Sequence, residues 1–99
     1  MIYEYAYLSI IPGREEEFEK ALICAAPILK SAEGCRSVDL HRDVETQGSY
    51  LLRIGWATLD DHLQKFPASD QAPRFAAAIE HFFAGEPTLR HFDAQSCGE

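Results

Sequence analysis

Apolar residues first alternate along this chain, then recur every third or fourth position, and the alternation returns later. Residues 2–10, IYEYAYLSI, are β-prone and free of Gly and Pro, which predicts a strand ended by Ile11-Pro12-Gly13. Arg14-Glu15-Glu16-Glu17 then opens a helix, with acids in the turn where the helix dipole favours negative charge. Phe18, Leu22, Ala25, Leu29 and Ala32 follow at spacings of three and four, forming one apolar stripe. Pro27 falls inside that stretch and is expected to kink the helix or end its regular part. Gly34 suits a C-terminal cap.

A second strand is predicted from Cys35 to Arg42, with Val38 and Leu40 on one face and Ser37, Asp39 and His41 on the other. ETQGS has hairpin length and contains Gly. The third strand, YLLRIGWA, places Tyr50, Leu52, Ile54 and Trp56 on a common face. Thr58 caps a short helix with Asp60 and Asp61 in its first turn, and FPASDQAP interrupts it. A third helix, with Phe75, Ile79 and Phe82 on one side, runs towards Gly85; Pro87 bars continuation, and TLRHFDA reads as a last strand.

The order is strand, helix, strand, strand, helix in two pieces, strand. That is the split βαβ arrangement of an α+β, ferredoxin-like βαββαβ fold with a four-stranded antiparallel sheet. Helices cover one face only, so the other must be polar or meet a partner. Strand parity gives Ile2, Ala6, Leu8 and Ile10 to the covered face, with Glu4 expected where the strand end meets solvent. Tyr3, Tyr5, Tyr7 and Ser9 fall on the uncovered face. A tyrosine row suits contact with a second subunit, because the ring packs while the hydroxyl finds water or a partner.

Composition narrows the function without choosing it. Ninety-nine residues make a single domain, 1–99, in the size range where dimerisation adds burial that a small core lacks. Hydrophobic residues at 46% and charged residues at 25% describe an ordinary soluble domain. A formal net charge of −7 argues against nucleic acid or an anionic membrane surface as the main partner. Neither a signal-peptide pattern nor an apolar run approaching the roughly 20 residues of a membrane span is present. Cys24, Cys35 and Cys97 form no C-x-x-C pair, and an odd number cannot close fully into internal disulfides, which fits reduced thiols in the cytoplasm. Cys24 and Cys35 read as small core residues and Cys97 as part of a frayed tail.

Few residues could carry chemistry. Trp56 ends the third strand on its apolar face, either as a core residue whose N–H meets an acceptor or as one wall of an aromatic pocket. His62, with Phe66 one turn later, is the main catalytic candidate, since a neutral imidazole can take a phenolic proton near working pH. The plain alternative is a histidine that fastens the strand–helix junction. His91 reads first as a hydrogen-bonded sheet residue, and His41 and His81 as surface groups. The dispersed histidines give no metal-ligand spacing. Arg74 reads as solvated, and Arg53 alternates away from the apolar face.

Four stretches, IIPGREEEFEKAL, PILKSAEGCRSVDLHRDVE, YLLRIGWATLDDHLQKF and HFFAGEPTLRHF, together resemble the antibiotic biosynthesis monooxygenase family. The aromatic-ended strand at Trp56 followed by TLDDH is the most specific of these matches, and the terminal RHF comes next. The resemblance implies a homodimeric α+β barrel of two sheets packed face to face, with one pocket per subunit between sheet and helices. It also implies oxidation of an electron-rich aromatic such as a quinol, anthrone or polyketide by O2, without metal, flavin or haem. On that reading His62 and Trp56 are catalytic, Ala6, Leu52, Phe66, Phe75 and His91 bind the substrate, and Tyr3, Tyr5 and Tyr7 form the dimer interface. The polyketide-oxidising members carry Asn four residues before the pocket Trp, where this chain has Leu52, and Tyr six residues after it, where this chain has His62. The Asn and His of haem-degrading relatives fall at Ala6 and Phe66, which disfavours haem degradation. A non-catalytic dimeric ligand-binding barrel, or an isomerase of a small carbonyl compound, fits the same residues.

Overall fold

The computed structural model describes residues 1–95 and 97. Its elements run β1 (Ile2–Ser9), α1 (Glu15–Lys30), β2 (Cys35–Arg42), β3 (Ser49–Trp56), a π-type turn (Asp61–Lys65), α2 (Gln71–Ile79), a 3-10 turn (Glu80–Phe82) and β4 (Thr88–Asp93). The strands form one antiparallel sheet in the order β2-β3-β1-β4. This is the expected α+β ferredoxin-like arrangement, with β1 and β3 central and β2 and β4 at the edges.

Local sequence explains the joints. Gly13 takes a positive φ of 90° in the turn after β1, and its N–H donates to Glu15 Oε1 at 2.9 Å, fastening the start of α1. Pro27 neither ends nor shortens α1, which continues to Lys30. The carbonyl that Pro27 leaves without a donor belongs to Ile23, a residue 70% exposed, so water can take that bond. Gly34, with φ 81°, lies in the turn into β2 and is not the helix cap, since Ser31 holds that position. Pro73 falls in the first turn of α2, where its missing N–H costs nothing.

The core lies between the sheet and the helices. Phe18, Leu22, Ala25, Leu29 and Ala32 of the predicted stripe are all buried against Ala6, Leu8, Tyr50, Leu52, Ile54 and Trp56 of the sheet. Phe75, Ile79 and Phe82 complete it, the last from the 3-10 turn, because α2 ends at Ile79. Cys24 departs from expectation: it lies on the outer side of α1 and is exposed, while Cys35 packs partly against the core. The period of the stripe accounts for this, since Cys24 sits between the inward positions Leu22 and Ala25.

The opposite face of the sheet carries Tyr3, Tyr5 and Tyr7, as strand parity predicts. Tyr5 meets Phe92 edge-on at 5.0 Å, and the Arg53 guanidinium lies over the Tyr3 ring at 4.9 Å. Tyr7 is 49% exposed. Two polar atoms of this face, Ser37 Oγ and Arg53 Nε, are buried and lack a partner among the described residues.

Candidate active site

Under the helices the sheet lines a cavity of about 230 Å³. β1 contributes Glu4, Ala6 and Leu8, and β3 contributes Leu52, Ile54 and Trp56. Leu29 of α1, Phe75 and Ile79 of α2, and Phe66 just after the π-type turn close it. The wall is apolar except at Glu4, His62 and the exposed Glu80. A larger groove of about 640 Å³ beside α1 is more polar, and its Arg42 already donates twice to Glu19, at 3.0 and 2.7 Å.

The π-type turn sets His62. Thr58 donates from its N–H and its hydroxyl to Asp61 Oδ2 at 3.1 and 3.0 Å, while the Asp61 N–H returns to Thr58 Oγ1 at 3.2 Å. This is a capping box drawn around a buried carboxylate. The Thr58 hydrogen bond, and then Lys65, hold the Asp61 carboxyl below its usual range. The Phe66 N–H then skips to the Asp61 carbonyl at 2.9 Å, the wide turn that brings both His62 and Phe66 to the cavity.

Trp56 is fully buried, and its indole N–H donates to Glu4 Oε1 at 3.0 Å. Its ring stacks on the His62 imidazole with centroids 5.1 Å apart and planes 13° from parallel. His62 Nε2 lies 3.3 Å from the same Glu4 oxygen, and its Nδ1 lies 2.7 Å from His91 Nε2. Burial first, and then the neighbouring His91, lower the His62 pKa to about 4, so the ring is neutral at neutral pH. Burial raises the Glu4 carboxyl above its usual range, against the lowering effect of the Trp56 hydrogen bond.

Ala6, Leu52, Trp56, His62, Phe66 and Phe75 therefore all meet at one cavity, whereas His91 stands behind His62 and is not part of the wall. The residue missed by sequence reasoning is Glu4, expected in solvent and found 5% exposed. Strand parity carried the signal, because Glu4 lies between Ile2 and Ala6 on the inward face. Its charge argued the other way, and the Trp56 N–H is what makes burial tolerable. Among the described residues, no group of three or more His, Cys, Asp or Glu side chains is arranged to hold a metal ion.

An antiparallel ferredoxin-like sheet with an apolar cavity under its helices and a Trp–His stack at the wall defines a class of small α+β domain. Within that class the antibiotic biosynthesis monooxygenase family model matches residues 1–81, and the chain belongs to that family. The uncharacterized protein YczJ of Bacillus subtilis (strain 168) is 37% identical over 92 residues, covering 93% of this chain and 97% of YczJ. A Bordetella bronchiseptica crystal structure with the same family description is 33% identical with a TM-score of 0.92, covering 96% of this chain and 97% of that one. SnoaB of Streptomyces nogalater, a cofactor-independent oxygenase solved as a mutant, shares the fold at a TM-score of 0.80 and 19% identity, over 99% of this chain and 97% of its own. In keeping with the sequence, no helix among the described residues is long and apolar enough to cross a membrane.

Proposed function

We propose that this protein is a cofactor-independent monooxygenase that oxidises an electron-rich aromatic hydroxyl compound, such as a quinol, an anthrone or a polyketide-like molecule, with O2. The observation that carries the reading is the apolar cavity with one buried titratable pair, Glu4 and His62, at its wall. Family membership supports it, and SnoaB provides an oxygenase on the same fold. Loss of the hydroxyl proton makes such a substrate its own reductant. In an anthrone, the ring CH2 becomes C=O, one oxygen atom of O2 enters, and the other leaves as water with the two hydrogens. All four electrons come from the substrate, so the protein must supply a dry, flat enclosure and a proton acceptor. Trp56, Phe66, Phe75 and Leu52 form the walls, Ala6 leaves room beneath the ring, and neutral His62 accepts the proton through its contact with Glu4.

The working unit in this reading is a homodimer. The Tyr3, Tyr5 and Phe92 rings share the sheet face away from the helices, where a second copy would cover them. Free cysteines at 24, 35 and 97 fit a reducing, cytoplasmic setting.

Oxygen uptake with a panel of quinols and anthrones, comparing wild type with His62→Ala, tests the reaction. Uptake that falls in the variant is expected. Equal rates would remove His62 from the chemistry. Thermal stabilisation by aromatic ligands without any turnover would favour a binding barrel, and turnover without O2 an isomerase.

A further inference from the structure

A chain of three titratable side chains leads from the cavity wall to the edge of the sheet. Glu4 Oε1 accepts the Trp56 indole N–H at 3.0 Å and lies 3.3 Å from His62 Nε2. Its other oxygen, Oε2, has no hydrogen-bond partner among the described residues, although Glu4 is buried and lines the cavity. A carboxyl oxygen that no protein group pairs, at an otherwise apolar wall, is a docking point for the hydroxyl of a ligand. On the far side of His62, its Nδ1 lies 2.7 Å from His91 Nε2, and His91 stands half-buried on the edge strand β4. The stacked Trp56 ring fixes the plane of the imidazole between them.

We propose that Glu4, His62 and His91 form a proton relay in which Glu4 Oε2 takes the proton of a ligand hydroxyl and His91 receives its equivalent at the sheet edge. The relay rests on the aromatic-hydroxyl reading of the cavity. With Glu4 protonated on Oε1, the ligand O–H bond breaks as a new O–H bond forms at Oε2. The Oε1 proton passes to His62 Nε2, and the Nδ1 proton of His62 passes to His91 Nε2. Three bonds to hydrogen break and three form, the ligand keeps its electron pair as the anion, and the positive charge ends on His91. Glu4 and His62 are uncharged before and after, which avoids the large cost of an isolated charge inside the wall. Burial acts in the direction the relay needs, raising the Glu4 pKa and lowering that of His62 to about 4. In this scheme His62 does not touch the ligand proton; the missed residue Glu4 does.

4-Nitrophenol is a suitable probe, because its anion is coloured and its acid is not. Below the free probe's own pKa, wild type is expected to hold the anion in the cavity. Glu4→Gln, which keeps an acceptor for the Trp56 N–H, and His91→Phe are each expected to lower the bound anion-to-acid ratio about tenfold or more. Nitrogen-15 NMR of the histidine side chains gives a readout that needs no ligand: His62 should be neutral, with its proton on Nδ1. An imidazolium, or a proton on Nε2, overturns the relay. Probe binding with equal ionisation in wild type and Glu4→Gln also overturns the relay, yet leaves the aromatic cavity standing. No binding to any of the proteins overturns the aromatic reading, and the relay with it.

Discussion

His62 should make the folded protein sensitive to acid, and the size of the effect follows from its surroundings. Its ring nitrogens face Glu4 from β1 and His91 from β4, and Trp56 of β3 covers one side of the ring. Burial, and then His91, bring its pKa from 6.5 down to about 4. Between those values the unfolded chain binds more protons than the folded one, so stability rises with pH across the window and is complete above it. A displacement of that size amounts to about 3 kcal/mol, lost progressively as pH falls from 6.5 to about 4. Glu4 acts in the opposite sense. Its raised pKa means the folded state binds the extra proton, so its contribution is full below 4.5 and fades as pH rises through the folded value. The perturbation that separates them is His62→Gln. Urea unfolding of both proteins, followed by far-ultraviolet circular dichroism from pH 4 to 7.5, gives two stability curves. Their difference cancels the titrations they share. Wild-type stability relative to the variant should fall by about 3 kcal/mol towards acid and be flat above pH 7. A difference that is flat across the window, or that grows towards acid, would refute the reasoning.

Three further outcomes follow from packing. Gly34→Ala places a Cβ into the Asp61 carboxyl at a positive φ of 81°, so a loss of about 2–4 kcal/mol is expected in urea unfolding. The double change Tyr5→Asp and Tyr7→Asp should convert the proposed dimer to a monomer by light scattering, because charges on a buried interface lose their water. A wild-type protein that is already monomeric would contradict the homodimer. Ala6→Leu fills part of the 230 Å³ cavity from its floor, so it should abolish thermal stabilisation by aromatic ligands while the circular dichroism spectrum is unchanged.

The fold was largely legible because two periods dominate the chain. Alternation in β1 and β3 separates Ala6 and Leu52 from Tyr5 and Arg53, and these faces are the observed ones. That His62 and Phe66 share a face was legible from spacing, and the family resemblance set Trp56 beside them, although the π-type turn that brings the three together was not legible. That turn depends on a carboxylate seated against a distant glycine, a contact between residues 27 positions apart that no local pattern displays. Glu4 was misread because charge and parity disagreed, and parity won once the indole N–H supplied a partner 52 residues away. Cys24 was misread because a small apolar residue within a helix carries no direction of its own; only its neighbours' period does. Pro27 was read as a kink or an early end to the regular helix because its effect depends on whether the orphaned carbonyl faces water.

The seat of Asp61 on Gly34 ties two distant parts of the chain into one moving part. Lys65 also reaches Glu33 at 2.9 Å, so the turn bearing His62 meets the loop entering β2 at two points, Asp61 against Gly34 and Lys65 against Glu33. The Ala57 N–H adds a third point, donating to the Gly34 carbonyl at 2.8 Å. Amide protons of the two segments should exchange with solvent in a single cooperative opening, and the geometry of the cavity wall is then governed from a turn that never touches the cavity.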